Sequence, residues 1–105
     1  MATRSMMDDL KQHIRKRLAE SSPRILAKTY SAEAAVLISI FQREDEPCFL
    51  LTQRSQAVAT HKGQISFPGG LRETRDSSLS ETALRETREE VGISADWVEI
   101  LGQCD

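Results

Sequence analysis

The sequence predicts an α+β domain, and three observations predict it. An amphipathic helical pattern opens the chain, strand-like runs rich in Val, Ile and Leu fill its middle, and a capped second helical pattern leads into a further apolar run. At 105 residues the chain suits one small domain, taken as 1–105, with room for a modest core.

The first helix is expected over residues 6–19, where Met6, Leu10, Ile14 and Leu18 recur at a four-residue step. Asp8 and Asp9 fall in its first turn and Arg15, Lys16 and Arg17 in its last, as a helix dipole favours. Ser21, Ser22 and Pro23 end it. It reads as a helix laid on the domain surface, with His13 solvated.

Ala34 to Phe41 reads as a buried strand and Cys48 to Gln53 as a second. With Gln42 to Pro47 as the turn, the pair forms a hairpin with a longer loop. Residues 54–76 become polar and small, with Gly63, Pro68, Gly69 and Gly70, a long irregular connection of a length that in compact domains is usually functional or disordered. A short strand over Gln64 to Phe67 fits within it. Ser78 and Glu81 form an S-x-x-E capping box that starts a second helix. That helix runs to Val91 and stops at Gly92, a left-handed C-terminal residue. After Ser94, Ala95 and Asp96, a third main strand is expected over Trp97 to Leu101.

Composition excludes several functions. Fourteen basic and sixteen acidic residues leave a net charge of −2, which provides no field for nucleic acid. The apolar runs are too short to span a bilayer, and no apolar segment near the N-terminus reads as a secretory signal. Cys48 and Cys104 are too few for a disulfide framework or a zinc site, so both are expected as ordinary thiols in a reducing cytoplasm. No nucleophile–base constellation supports a serine or cysteine hydrolase.

The second helix carries the chemistry. Leu79, Ala83, Leu84, Thr87 and Val91 make its core stripe, with Glu81, Arg85 and Arg88 opposite and Glu81–Arg85 and Arg85–Glu89 as i,i+4 pairs. Glu86, Glu89 and Glu90 cluster within an arc of about 100°. Glu86–Glu90 and Glu86–Glu89 are like-charge neighbours, and Glu89 and Glu90 also face the negative end of the dipole. Such a doubly penalised cluster suggests an outside compensating charge, and a hard Mg²⁺ or Mn²⁺ ion suits carboxylate oxygens. In an arbitrary helix the same cluster would be a solvated acidic face, and the helix alone leaves the question open.

The flanking residues carry a resemblance. Gly69-Gly70, Asp76, Arg85-Glu86-Thr87, Glu89-Glu90 and Gly92-Ile93 resemble the Nudix signature G-x5-E-x7-R-E-U-x-E-E-x-G-U, where U is apolar. Asp76 stands for Glu, the interval to Arg85 is one residue longer, and Thr87 occupies an apolar place. The first two departures are similar to the coenzyme A diphosphatase branch. So is the run from Leu50 to Gly70, which resembles L-L-T-x-R-S-x-x-L-x-x-H-x-G-Q-I-x-F-P-G-G with Val58 for Leu. Residues 50–93, about half the chain, carry the two motifs, with the Nudix box at 70–93.

The resemblance implies an α/β/α sandwich, a mixed sheet between helices, of which this chain is the N-terminal portion. It implies that Glu86, Glu89 and Glu90, with the Gly70 carbonyl, hold Mg²⁺ or Mn²⁺. Glu86, Arg85 and Glu89 form the catalytic set, with Arg85 orienting the glutamates. Arg54, Ser55, His61 and Gln64 would contact the substrate. The activity implied is hydrolysis of the diphosphate of coenzyme A or its acyl derivatives to 3′,5′-ADP and (acyl-)4′-phosphopantetheine. The alternatives are another nucleoside diphosphate derivative as substrate, or a non-catalytic metal-binding fragment. Relatives continue past the Trp97 strand, so an uncovered edge is expected. That edge would make the chain a homodimer, a weakly stable fragment or part of a larger protein.

Overall fold

The computed structural model describes residues 5–21, 32–53 and 63–104. Helix α1 spans Met6–Glu20. Ser5 caps it, its hydroxyl accepting from the Asp8 N–H at 3.0 Å, and Ser21 closes it by bonding back to the Leu18 carbonyl. The expected boundaries hold to within a residue.

Six short strands follow: β1 (Ala34–Val36), β2 (Ile40–Arg43), β3 (Glu46–Phe49), β4 (Thr52–Gln53), β5 (Ile65–Ser66) and β6 (Gly69–Leu71). They pair antiparallel as β1–β6, β2–β3 and β4–β5. Helix α2 (Leu79–Val91) then lies across β1 and β6, and a 3₁₀ turn covers Ala95–Trp97. The α+β class therefore holds, and its strands appear among the described residues as three two-stranded ladders.

The ladder that positions the site is β1–β6. Ala34, Ala35 and Val36 oppose Leu71, Gly70 and Gly69. Bonds from Leu37 N–H to the Pro68 carbonyl and from Arg72 N–H to the Glu33 carbonyl, both 2.8 Å, extend it at each end. A Cβ at Gly69 would meet the Ala35 carbonyl oxygen at 2.2 Å and the Val36 Cα at 2.6 Å, so glycine is required for β1 to approach. The fully buried side chains against this ladder are small: Pro68, Thr82 and Thr87, with Ala83 at 4 % exposure.

The hairpin differs from expectation. The apolar run breaks after Val36, and the second strand begins at Glu46 rather than Cys48. The loop is the two-residue turn Glu44-Asp45, with φ 51° and 64°, and the ladder runs through Gln42↔Pro47 and Arg43↔Glu46. Two positive φ values mark a turn that matches strand twist. The Gln42 amide donates to Asp45 Oδ1 at 3.2 Å across it. This hairpin is largely exposed on both faces, so its polar residues carry no alternation to betray the pairing.

The strand expected over Trp97 to Leu101 does not form. Among the described residues no strand lies beside this segment, and an extended backbone without a partner makes no ladder. Side chains hold it instead. Lys11 and Arg15 of α1 both pair with the Glu99 carboxylate and keep it below the usual carboxylate range. Gly102 lies so close to α1 that a Cβ would meet Leu18 at 2.8 Å.

Glu44 and Asp45 occupy left-handed backbone at a cost of about 1 kcal/mol or more each. The double substitution Glu44→Asn/Asp45→Gly should therefore raise the midpoint of thermal unfolding, read by circular dichroism, without changing the far-ultraviolet spectrum.

Candidate metal and catalytic site

Helix α2 starts where Ser78, in extended backbone, accepts from the Glu81 N–H at 3.1 Å. The capping box is completed one residue early. Glu81 accepts from both the N–H and the hydroxyl of Ser77 at 2.6 Å, and the Ser77 hydroxyl and amide lower its carboxyl pKa. Glu81 thus faces Ser77, and the expected Glu81–Arg85 pair is not made. At the far end Gly92 adopts φ 75° and its N–H returns to the Arg88 carbonyl, the left-handed cap expected.

Of the predicted core stripe, Ala83 and Thr87 are buried, Leu79 and Leu84 are half-buried, and Val91 is exposed. Thr87 is compatible with the interior because its hydroxyl donates to the Ala83 carbonyl at 2.7 Å. Arg85 corrects the expectation more sharply. Its side chain is only 14 % exposed, although the helical period sets its Cα on the face opposite the stripe. Its length lets it fold back over the helix start toward a buried carboxylate.

That carboxylate is Asp76, 5 % exposed. Arg85 Nε donates to Asp76 Oδ1 at 2.9 Å and Nη2 to Oδ2 at 3.0 Å, a two-pronged fork. Oδ2 also accepts from the Glu73 N–H at 2.9 Å and from the Thr82 hydroxyl at 3.0 Å. The Arg85 guanidinium, followed by these donors, holds the Asp76 carboxyl far below its ordinary range, and Asp76 in turn pushes Arg85 up. Arg85 Nη2 donates further to the Leu71 carbonyl at 2.9 Å. Nη1 donates to Glu86 Oε1 at 3.0 Å and to the Glu89 carboxylate at 3.3 Å. Each of the three guanidinium nitrogens is engaged.

Glu86 is seated against β6. A Cβ on Gly70 would fall 2.5–2.8 Å from the Glu86 carboxylate atoms, so the bare backbone of Gly70 is what admits that carboxylate. Glu89 is half exposed and also meets Arg75, whose Nη2 lies at 3.4 Å while its Nε pairs with Glu73 at 2.7 Å. Glu90 is exposed in the last turn. The compensating charge expected from outside is thus supplied in part from within, by Arg85 and Arg75. Among the described residues no three His, Cys, Asp or Glu side chains converge as a ready ligand set. The donors present are nonetheless hard oxygens, and the Gly70 cradle brings a carboxylate onto strand backbone, an arrangement compatible with a hard divalent ion.

The structure therefore brings Gly70, Arg85, Glu86 and Glu89 together. Gln64 is exposed just before β5 and has no bond to this cluster, whereas Arg54, Ser55 and His61 lie outside the described residues. Sequence reasoning missed the roles of Thr82 and Glu73 and treated Asp76 only as a variant motif residue. A signal existed for Thr82: it stands three residues before Arg85, and the helical period places it within the arc of the glutamates, where an uncharged residue breaks the pattern.

Two measurements follow from this geometry. Because the folded pKa of Asp76 lies below its unfolded value, its stabilisation is full above the ordinary carboxylate pKa, about 4, and is lost as pH falls through the folded value. Asp76→Asn should lower the melting temperature at neutral pH and flatten its decline in acid. Gly69→Ala should destabilise strongly, because its Cβ strikes β1 backbone, while Gly70→Ala should melt near wild type, because only the end of the Glu86 side chain must move. Equal melting temperatures for the two glycine variants would contradict this reading of β6.

Comparison with known proteins agrees with the motif. The NUDIX domain family profile matches residues 31–105. A Yersinia enterocolitica protein named "Uncharacterized Nudix hydrolase NudL" is 56 % identical over 73 residues, covering 70 % of this chain and 37 % of the relative. A Photorhabdus laumondii protein of the same name is 47 % identical over 70 residues, covering 67 % and 37 %. A Citrobacter koseri one is 49 % identical over 70 residues, covering 67 % and 36 %. The chain spans about 37 % of the length of the relatives it matches. With its Arg85-centred cluster and the family match over 31–105, the chain belongs to the Nudix domain family.

Proposed function

We propose that the chain carries the front part of a divalent-metal-dependent diphosphatase site, and that its substrate is coenzyme A or an acyl derivative. The observation that carries the reading is the joint seating of Glu86 and Glu89. Arg85 Nη1 holds both, and Gly70 leaves room for Glu86 on β6. In this reading 1–105 is the N-terminal portion of a Nudix hydrolase domain, with its box at 70–93. The half of the motif from Leu50 to Gly70 supports coenzyme A over other nucleoside diphosphate derivatives. A cytoplasmic setting goes with the free Cys48 and Cys104.

Glu86, Glu89, Glu90 and the Gly70 carbonyl would hold Mg²⁺ or Mn²⁺. When bound, such an ion neutralises diphosphate charge and favours ionisation of an attacking water. Arg85 orients Glu86 and Glu89. Glu86 Oε1 is engaged by Arg85, which leaves Oε2 to accept the proton of the attacking water. Arg54 would pair with a phosphate, and Ser55, His61 and Gln64 would donate neutral hydrogen bonds to the substrate. Positioning accounts for most of what the protein must contribute.

Mass analysis after incubation with coenzyme A and Mn²⁺ should yield 3′,5′-ADP and 4′-phosphopantetheine, with chelation abolishing turnover. Cleavage of nucleotide sugars with coenzyme A left intact would move the substrate and keep the family. Separately, Glu86→Gln and Glu90→Gln should each weaken Mn²⁺ binding in a calorimetric titration. Unchanged affinity in both would remove the metal assignment, and binding without cleavage of any diphosphate would leave a non-catalytic metal-binding unit.

A further inference from the structure

Thr82 is a polar side chain at 0 % exposure, and the reaction outlined above makes no use of it. Its hydroxyl lies 3.0 Å from Asp76 Oδ2 and 3.2 Å from the Ser78 carbonyl. A hydroxyl has one proton, and both neighbours are acceptors. The proton belongs on the carboxylate, since a bond to a charged acceptor is the stronger and the alternative would set two lone pairs face to face.

We propose that Thr82 is a positioning residue for the glutamate pair, acting through Asp76 and Arg85. The inference rests on the reading of Glu86 and Glu89 as metal-holding groups. The guanidinium fork fixes direction only if the Asp76 carboxylate cannot turn about its own axis. Two groups prevent that turn from outside the fork, the Glu73 N–H at 2.9 Å and the Thr82 hydroxyl. Thr82 sits one turn before Arg85 on the same helix, so α2 carries both the arginine and one clamp on its partner. With Nε and Nη2 committed to Asp76, rotation of that carboxylate swings Nη1, the nitrogen that holds Glu86 and Glu89. Thr82 is sealed from solvent, so in the folded chain its hydroxyl, and not bulk water, meets Asp76 on that side.

The test removes the hydroxyl and keeps the shape. Thr82→Val and Thr82→Ser are compared with wild type in the 105-residue chain, and Thr82→Ala joins them so that Ser and Ala differ by the hydroxyl alone. The first readout needs no metal: the solvent-exchange rate of the Arg85 Nε–H signal in ¹⁵N-resolved NMR. The expected result is slow exchange in wild type and Thr82→Ser, and faster exchange in Thr82→Val and Thr82→Ala, with cooperative melting retained by the Ser and Ala pair. The second readout is Mn²⁺ affinity, expected to fall by about tenfold without the hydroxyl, the low end for losing an outer partner of a ligand, and to recover in Thr82→Ser. Equal Arg85 exchange in the Ser and Ala variants overturns the proposal. So does exchange that quickens equally in all three variants along with their melting, which would make Thr82 only a packing residue. Absence of Mn²⁺ binding in wild type would instead defeat the metal reading, while the exchange rates still decide whether Thr82 fixes Arg85.

Discussion

A guanidinium at 14 % exposure and a carboxylate at 5 % stand together between the start of α2 and the loop after β6, and much of the described site depends on that pair. Taking either ion from water alone would be unfavourable, and their mutual attraction offsets this only if the remaining donors and acceptors are also satisfied. Here they are. Asp76 accepts from Arg85, Glu73 and Thr82, and Arg85 spends its other donors on the Leu71 carbonyl and two glutamates. The pair thereby ties together three stretches of chain: β6 through Leu71, the loop through Glu73 and Asp76, and the helix through Thr82, Arg85, Glu86 and Glu89.

Close approach of α2 to β1 and β6 is the second constraint, and small residues meet it from both sides. Thr82, Ala83 and Thr87 face inward from the helix, while Gly69 and Gly70 present bare backbone from the strand. The two glycines serve different ends. Gly69 admits the neighbouring strand, and Gly70 admits a carboxylate, so one supports the fold and the other the site.

These constraints alter how the acidic cluster should be understood. Considered alone, Glu86, Glu89 and Glu90 repel each other and oppose the helix dipole. In the folded chain Arg85 and Arg75 lie among them and offset part of that repulsion. Glu86 and Glu89 are thus held in place by an internal cation, the Arg85 guanidinium.

The sequence by itself determined both helices, the start and stop of the second, and the family. Ser78 and Gly92 announce their roles through local backbone preferences, and the glycine pair and glutamate spacing form a pattern that needs no tertiary context to be read. It indicated a hairpin in this region but not its two-residue turn, where Glu44 and Asp45 take positive φ without a glycine to signal it. Nor did it determine the fate of the Trp97 to Leu101 segment, since apolar residues describe what can be buried and not which backbone lies alongside. The inward turn of Arg85 was likewise decided only by tertiary structure. Helical periodicity assigns a Cα to a face, but a long side chain follows its strongest partner, and Asp76 becomes that partner only once the loop, Glu73 and Thr82 close around it.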